Sequence, residues 1–190
     1  MPSRFQQALD PPGGKSPPQP RPSSFRAMAH MNRAMAWLLI GDFERGWAEY
    51  EWRWQCKDTP ERSFPQLRWD GSPLDGKTIL LHAEQGLGDT IQFVRYAPLV
   101  KERGGRVIVE APRALLTLLA ICPGIDALVP WGAPLPPFDV HAPLLSLPGI
   151  FRTTLDTVPA AVPYFFVEEA ARRRWQEEFG RWPARRNWPG

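Results

Sequence analysis

The chain has 190 residues, 43% of them hydrophobic, and a formal net charge of +3, which suffices for one medium domain with a real core and a small appendage. Its two cysteines, Cys56 and Cys122, are far apart, which argues against a paired zinc site and against a disulfide-stapled secreted scaffold. No apolar run approaches the ~20 residues of a membrane helix, and the N-terminus lacks the apolar core of a signal peptide, so the expected location is cytoplasmic.

The 23 prolines exceed the usual share of roughly 5%, and many crowd the N-terminus. Residues 1–24 read as a disordered Pro-rich segment, the stretch Pro11 to Ser24 having almost no apolar content. Residues 25–58 read as two helices. In the first, Met28, Met31, Ala34, Met35 and Leu38 fall at helical spacing. Gly41-Asp42 breaks it, and the second carries Phe43, Trp47, Tyr50 and Trp54. Residues 59–76 read as a connector, because Pro60, Pro65 and Pro73 oppose regular structure.

From Lys77 the pattern alternates strands and helices, and 77–180 reads as one α/β unit with a parallel sheet. Thr78–His82, Arg106–Glu110, Ala127–Val129 and a segment entered through Phe138–His141 are the expected strands. Asp89 to Arg103 is an expected helix, kinked at Pro98, which lacks an N–H and crowds the carbonyl of Val94. A second helix starts at Pro112 and a last one covers Glu168 to Phe179. The basic residues Arg172–Arg174 and the tail 181–190 read as a solvated surface; no recognition motif accompanies them, so no nucleic-acid partner is expected.

Ligands of parallel α/β sheets bind beyond the carboxyl ends of the strands, and the first such loop is His82 to Asp89. Gly86 and Gly88 would let it turn sharply and approach a ligand. The third glycine of a dinucleotide fingerprint is missing, since Ile91 stands three residues after Gly88. A carboxylate at the helix start, Asp89, occupies the positive end that a phosphate would need. Asp89 with Gln92 also fits a capping box, Asp89 at the N-cap and Gln92 at N3. Alternatively Asp89 takes a proton from a substrate hydroxyl, weakened as a base by the helix end.

Several motifs carry a resemblance. Ala34, Trp37, Gly41, Phe43, Gly46 and Tyr50 resemble one tetratricopeptide (TPR) repeat. Trp69-x-Gly71-x-x-Leu74-x-Gly76-Lys77, Glu84-Gln85-Gly86-Leu87-Gly88-Asp89-Thr90-Ile91-Gln92-Phe93-x-Arg95-Tyr96 and Phe138-Asp139-x-His141-x-x-x-x-Ser146-Leu147-Pro148 look like the glycosyltransferase-like region that follows TPR repeats in many bacterial proteins. More distantly, Gly86-Leu87-Gly88-Asp89 resembles the Gly-x-Leu-Gly-Asp turn of heptosyltransferase-like enzymes, glycosyltransferase family 9. The resemblance implies the N-terminal, acceptor-side, Rossmann-like lobe of a GT-B enzyme. It implies Asp89 as catalytic base of an inverting transfer, with Glu84, Gln85, Gly86, Gly88, Gln92 and Arg95 around the acceptor. His141, near the end of the expected fourth strand, is a further candidate by its position facing the same cleft, and Ser146 a weaker one. It implies no cofactor or metal on this lobe. The nucleotide-sugar donor belongs to a second lobe, for which the ~114 residues after Lys77 leave no room, so the chain is expected to be truncated and inactive alone. The competing expectation is a protein-interaction module built on the helix pair, with a vestigial α/β part.

Overall fold

The computed structural model describes residues 24–56, 62–165 and 169–180. The tail 181–190, and the Pro-rich segment apart from Ser24, lie outside them. The described chain is α/β: a five-stranded, all-parallel sheet with helices, preceded by a pair of helices.

Helix α1 spans Ser24–Leu39 and α2 spans Phe43–Tyr50. Asp42 caps α2, its carboxylate accepting the Arg45 N–H at 3.3 Å. The two helices lie close because small residues sit at their contact. Ala34 is fully buried, and a Cβ on Gly46 would come within 2.6 Å of Leu38 Cδ2. The apolar residues of α1 fall on two faces. Ala27, Met31, Ala34 and Leu38 turn inward, whereas Met28 and Met35 are exposed together with Phe25, Leu39 and Ile40. Periodicity found the helix; with apolar residues on more than one side, it could not choose the buried face. After α2 the chain tightens into a 3₁₀ turn, Glu51–Gln55.

The sheet order is β1-β5-β2-β3-β4, from β1 (Leu67–Arg68), β2 (Thr78–His82), β3 (Arg106–Ala111), β4 (Ala127–Pro130) and β5 (Val140–Pro143). Strand β1 corrects the expectation of an irregular connector. Leu67 and Arg68 fit between Pro65 and Pro73 and pair in parallel with Val140 and His141 at the sheet edge, where a short strand next to prolines is tolerated.

The expected helix after β2 is broken, as its proline requires. α3 (Leu87–Phe93) passes through a 3₁₀ turn, Val94–Tyr96, into α4 (Ala97–Lys101), where Pro98 sits in the first turn and needs no N–H partner. α3 begins two residues earlier than expected. Gly86 is its N-cap and Asp89 its third residue, with no side-chain cap hydrogen bond, which corrects the capping box placed on Asp89 and Gln92. Neither glycine of the loop adopts a left-handed conformation, and Gly88 lies within the helix. The expected sharp glycine turn is therefore absent. α5 is short, Leu116–Leu119, after a 3₁₀ turn at Arg113–Leu115. α6 is Leu147–Ile150, and α7 is Glu169–Gly180, with no buried residue.

One sheet face, carrying Ile79, Leu81, Val107, Val109 and Ala142, packs against Val94, Ala97, Val100 and Leu119 from the helical connections, forming the main core. The connections β2→β3→β4 step in one direction, so right-handed crossovers place them on the same face. The return from β4 to β5 steps back and crosses the opposite face without a helix. There Leu135 and Phe138, with Phe64 from ahead of β1, cover Leu80, Ile108 and Val129. No described helix is long and apolar enough to cross a membrane.

Candidate functional site

The chain reverses its stepping direction between β2 and β5, and the crevice outside the carboxyl ends of those strands is where open α/β sheets bind ligands. Here the loop after β2 supplies Glu84 and Gln85, and the segment after β5 supplies Leu145 and Ser146. The helix pair reaches into this crevice with Arg53, whose side chain is 1% exposed. Arg53 donates through Nε and Nη2 to the two oxygens of Glu84 (2.8 and 3.1 Å), through Nη2 to Ser146 Oγ (2.6 Å) and through Nη1 to Glu51 (2.7 Å). Glu84 also accepts the backbone N–H of Leu145 at 3.2 Å. Arg68 joins from β1, donating to Ser146 and Glu51. Burial pushes the Glu84 carboxyl up, and the hydrogen bonds and charge of Arg53 oppose it. Burial alone would lower Arg53, but Glu84 and Glu51 outweigh it and hold the guanidinium above its ordinary value. Glu84 is thus occupied in fastening the helix pair to the sheet.

Beside this anchor, Asp89 and Gln92 on α3 face a cavity of about 490 Å³ shared with Leu39, Trp47, Tyr50 and Phe93. Its outer wall is the helix pair. The Asp89 carboxylate has no hydrogen bond or ion pair among the described residues. Gln85 donates to the Tyr50 hydroxyl at 3.4 Å, and burial pushes that phenol up, with the charges of Glu84 and Asp89 acting in the same direction. A larger cavity of about 610 Å³ lies on the other side of Trp47, bounded by Phe43, Trp69, Ile150, Glu51 and Arg68.

The structure therefore brings Asp89 and Gln92 to one cavity, with Gly86 beside them: a Cβ there would be 3.8 Å from Asp89 Oδ2. Glu84 and Gln85 sit behind it, bound to the helix pair. Gly88 is exposed within α3. Arg95 points elsewhere, donating to the Pro159 carbonyl at 3.2 Å and lying over the Tyr164 ring. His141 does not share the Asp89 cavity. Paired with Leu80 across β2, it lies on the sheet face covered by Phe64. Alternation along a strand decides this, since one residue's shift reverses the face. Tyr50 and Arg53 are the site residues that loop motifs alone do not single out, whereas Ser146, the weaker candidate, is bonded to Arg53. The signal for the first two is the run Tyr50-Glu51-Trp52-Arg53-Trp54, whose charges would be out of place in a simple aromatic core.

On that opposite face His82 Nε2 lies 3.3 Å from His141 Nδ1, and His82 is 2% exposed. Arg62 bonds the buried Glu110 there. Burial first, then the charges of His141, Arg62, Arg68 and Arg53, depress His82 to about 3; burial and then Arg68 and Arg62 lower His141. An unfolded chain protonates these rings near pH 6.5, while the folded protein keeps His82 neutral down to about 3. Between those values the unfolded state binds more protons, so stability falls as pH falls, by up to about 1.4 kcal/mol per pH unit for this group. Urea midpoints measured from pH 7 to 4 should decline, and His82→Gln should flatten the decline; an unchanged slope in the variant would remove His82 as its source. Among the described residues no group of three or more His, Cys, Asp or Glu is placed to hold a metal ion.

No family model matches the chain, and no solved structure does. A stretch of 81 residues is 37% identical to Protein FlbA of Caulobacter vibrioides. That stretch is 42% of this chain and 14% of the length of FlbA, so the similarity spans a small part of that relative.

Proposed function

We propose that the chain is the acceptor-side lobe of a TPR-containing, GT-B-type glycosyltransferase that transfers a sugar from a nucleotide-sugar to a hydroxyl with inversion. The observation that supports this reading is the Asp89 carboxylate, unpaired among the described residues and open to a cavity beside the β2/β5 crevice. In the reaction, Asp89 takes the proton of the acceptor hydroxyl as its oxygen attacks the anomeric carbon. The bond from that carbon to the leaving diphosphate breaks, and the nucleoside diphosphate departs with the electron pair. The parallel sheet serves as a Rossmann-like lobe. The helix pair serves as a TPR-like wall, supported by the close approach at Ala34 and Gly46. The donor belongs to a second lobe on this reading, and the acceptor lobe by itself gives no turnover, because the reactants must be held together to gain effective molarity. Cytoplasmic nucleotide-sugar pools make that compartment part of the proposal.

Transfer from a panel of labelled nucleotide-sugars, measured with a donor lobe supplied, tests the role of Asp89. Asp89→Asn keeps the shape and removes the base, so the rate should fall about 100-fold or more. An unchanged rate would leave Asp89 as a structural residue of the first helical turn.

The second reading, an interaction module, draws on the exposed apolar residues of α1 and the turn after it: Phe25 and Leu39 are each 88% exposed, and Ile40 is 74%. Partner capture that persists after removal of residues 1–58 would count against it.

A further inference from the structure

Resting on the glycosyltransferase reading, we infer that the acceptor hydroxyl is carried on an apolar body, an aliphatic or aromatic alcohol rather than a saccharide. The inference comes from the chemistry of the Asp89 cavity. Its volume of about 490 Å³ falls in the range of roughly 300–1,000 Å³ that holds a small molecule. Met35 and Leu39 of α1, Trp47 of α2 and Phe93 of α3 give it apolar walls, and its polar side chains are Asp89, Gln92 and Tyr50. A saccharide would bring more hydroxyls than Asp89, Gln92 and Tyr50 can pair, and those set against the apolar walls would lose water without gaining a partner. One hydroxyl is matched. The Asp89 carboxylate accepts a hydrogen bond from it, and the phenol of Tyr50, whose oxygen already accepts from Gln85 at 3.4 Å, keeps its own O–H to donate to the hydroxyl oxygen. The rest of the ligand replaces water along Met35, Leu39, Trp47 and Phe93, where apolar contact is favourable.

The test is direct binding to the full chain, by titration calorimetry or ligand-observed NMR, of 4-phenyl-1-butanol, its methyl ether and methyl β-D-glucopyranoside. The ether keeps the body and the oxygen and loses the donor. The alcohol should bind about tenfold more tightly than either of the others, because a site built around a hydroxyl rejects the analogue that lacks it. Asp89→Ala should bring the alcohol down to the level of the ether. Leu39→Glu, at a position 88% exposed and therefore tolerant of charge, should weaken alcohol and ether alike while leaving the thermal transition in place. Equal binding of alcohol and ether, tighter binding of the glucoside, or no binding of the alcohol would each overturn the inference. These measurements need no donor, so they separate from the enzyme reading. If the alcohol binds as expected and Asp89→Asn still transfers sugar, the catalytic assignment falls alone. If the glucoside binds best and Asp89→Asn abolishes transfer, the acceptor class falls alone.

Discussion

Arg53→Ala will cost about 3–5 kcal/mol of folding stability, the range for removing one partner of a buried ion pair. The guanidinium is 1% exposed and the Glu84 side chain 3%. Its removal strands Glu84 in the crevice with one remaining donor, the Leu145 N–H, and takes hydrogen bonds from Ser146 and Glu51. It also empties the space beside Tyr50 and Trp54, whose rings lie 4.9 and 4.3 Å from the guanidinium carbon. Arg53→Lys should not rescue, because an ammonium cannot reproduce the two-pronged contact with Glu84 while reaching Ser146 and Glu51. Arg53→Met combined with Glu84→Gln should be less destabilised than the sum of the single changes, because the second substitution removes the charge that the first leaves unpaired. Urea denaturation of the four proteins closes the cycle. Strict additivity would mean that the bonds seen between Arg53 and Glu84 carry no coupling energy. The same variants should loosen the wall of the Asp89 cavity, since Tyr50 and Trp47 lie on the element that Arg53 anchors.

Gly124→Ala should be of similar size, about 2–5 kcal/mol, from a left-handed backbone and an overpacked contact together. Gly124 joins α5 to β4 with φ of +81°, and a Cβ there would stand 2.5 Å from Pro98 N and 2.6 Å from Pro98 Cα. Backbone cannot rotate aside as a side chain can. The start of α4 would have to lift from the sheet, with Ala97 and Val100, both fully buried. Gly132 provides the control. It has φ of +80° and nothing within 4 Å of an added Cβ, so Gly132→Ala should show only the conformational part, about 1–2 kcal/mol. Equal losses at the two positions, read from thermal or urea unfolding, would refute the close contact with Pro98.

Much of the architecture is legible in the amino-acid sequence. The apolar runs Thr78–His82 and Arg106–Glu110 are strands at those positions, Pro98 follows a break between two helices, and Gly46 stands where two helices approach. These features are local: a run of β-branched residues, a missing N–H and a missing Cβ act within a turn or two of where they are written. Of the candidate site, the sequence marks the loop after β2, and the structure places Asp89, on the helix that follows it, beside a cavity.

What the sequence determined by itself was therefore the order and kind of most elements, the parallel α/β class, and Asp89 as the residue to watch. Tertiary structure decided the rest. It placed β1 in a stretch read as irregular, since a two-residue strand exists only through its partner β5. It made Gly86 the cap of α3, which depends on where the chain leaves the sheet. It turned Glu84 from a candidate ligand contact into the receiver of Arg53, 31 residues away. It also set His141 on the opposite face, against His82 and Phe64. Such pairings are long-range and cost desolvation that only a particular packing can offset, so no window of neighbouring residues could have shown them.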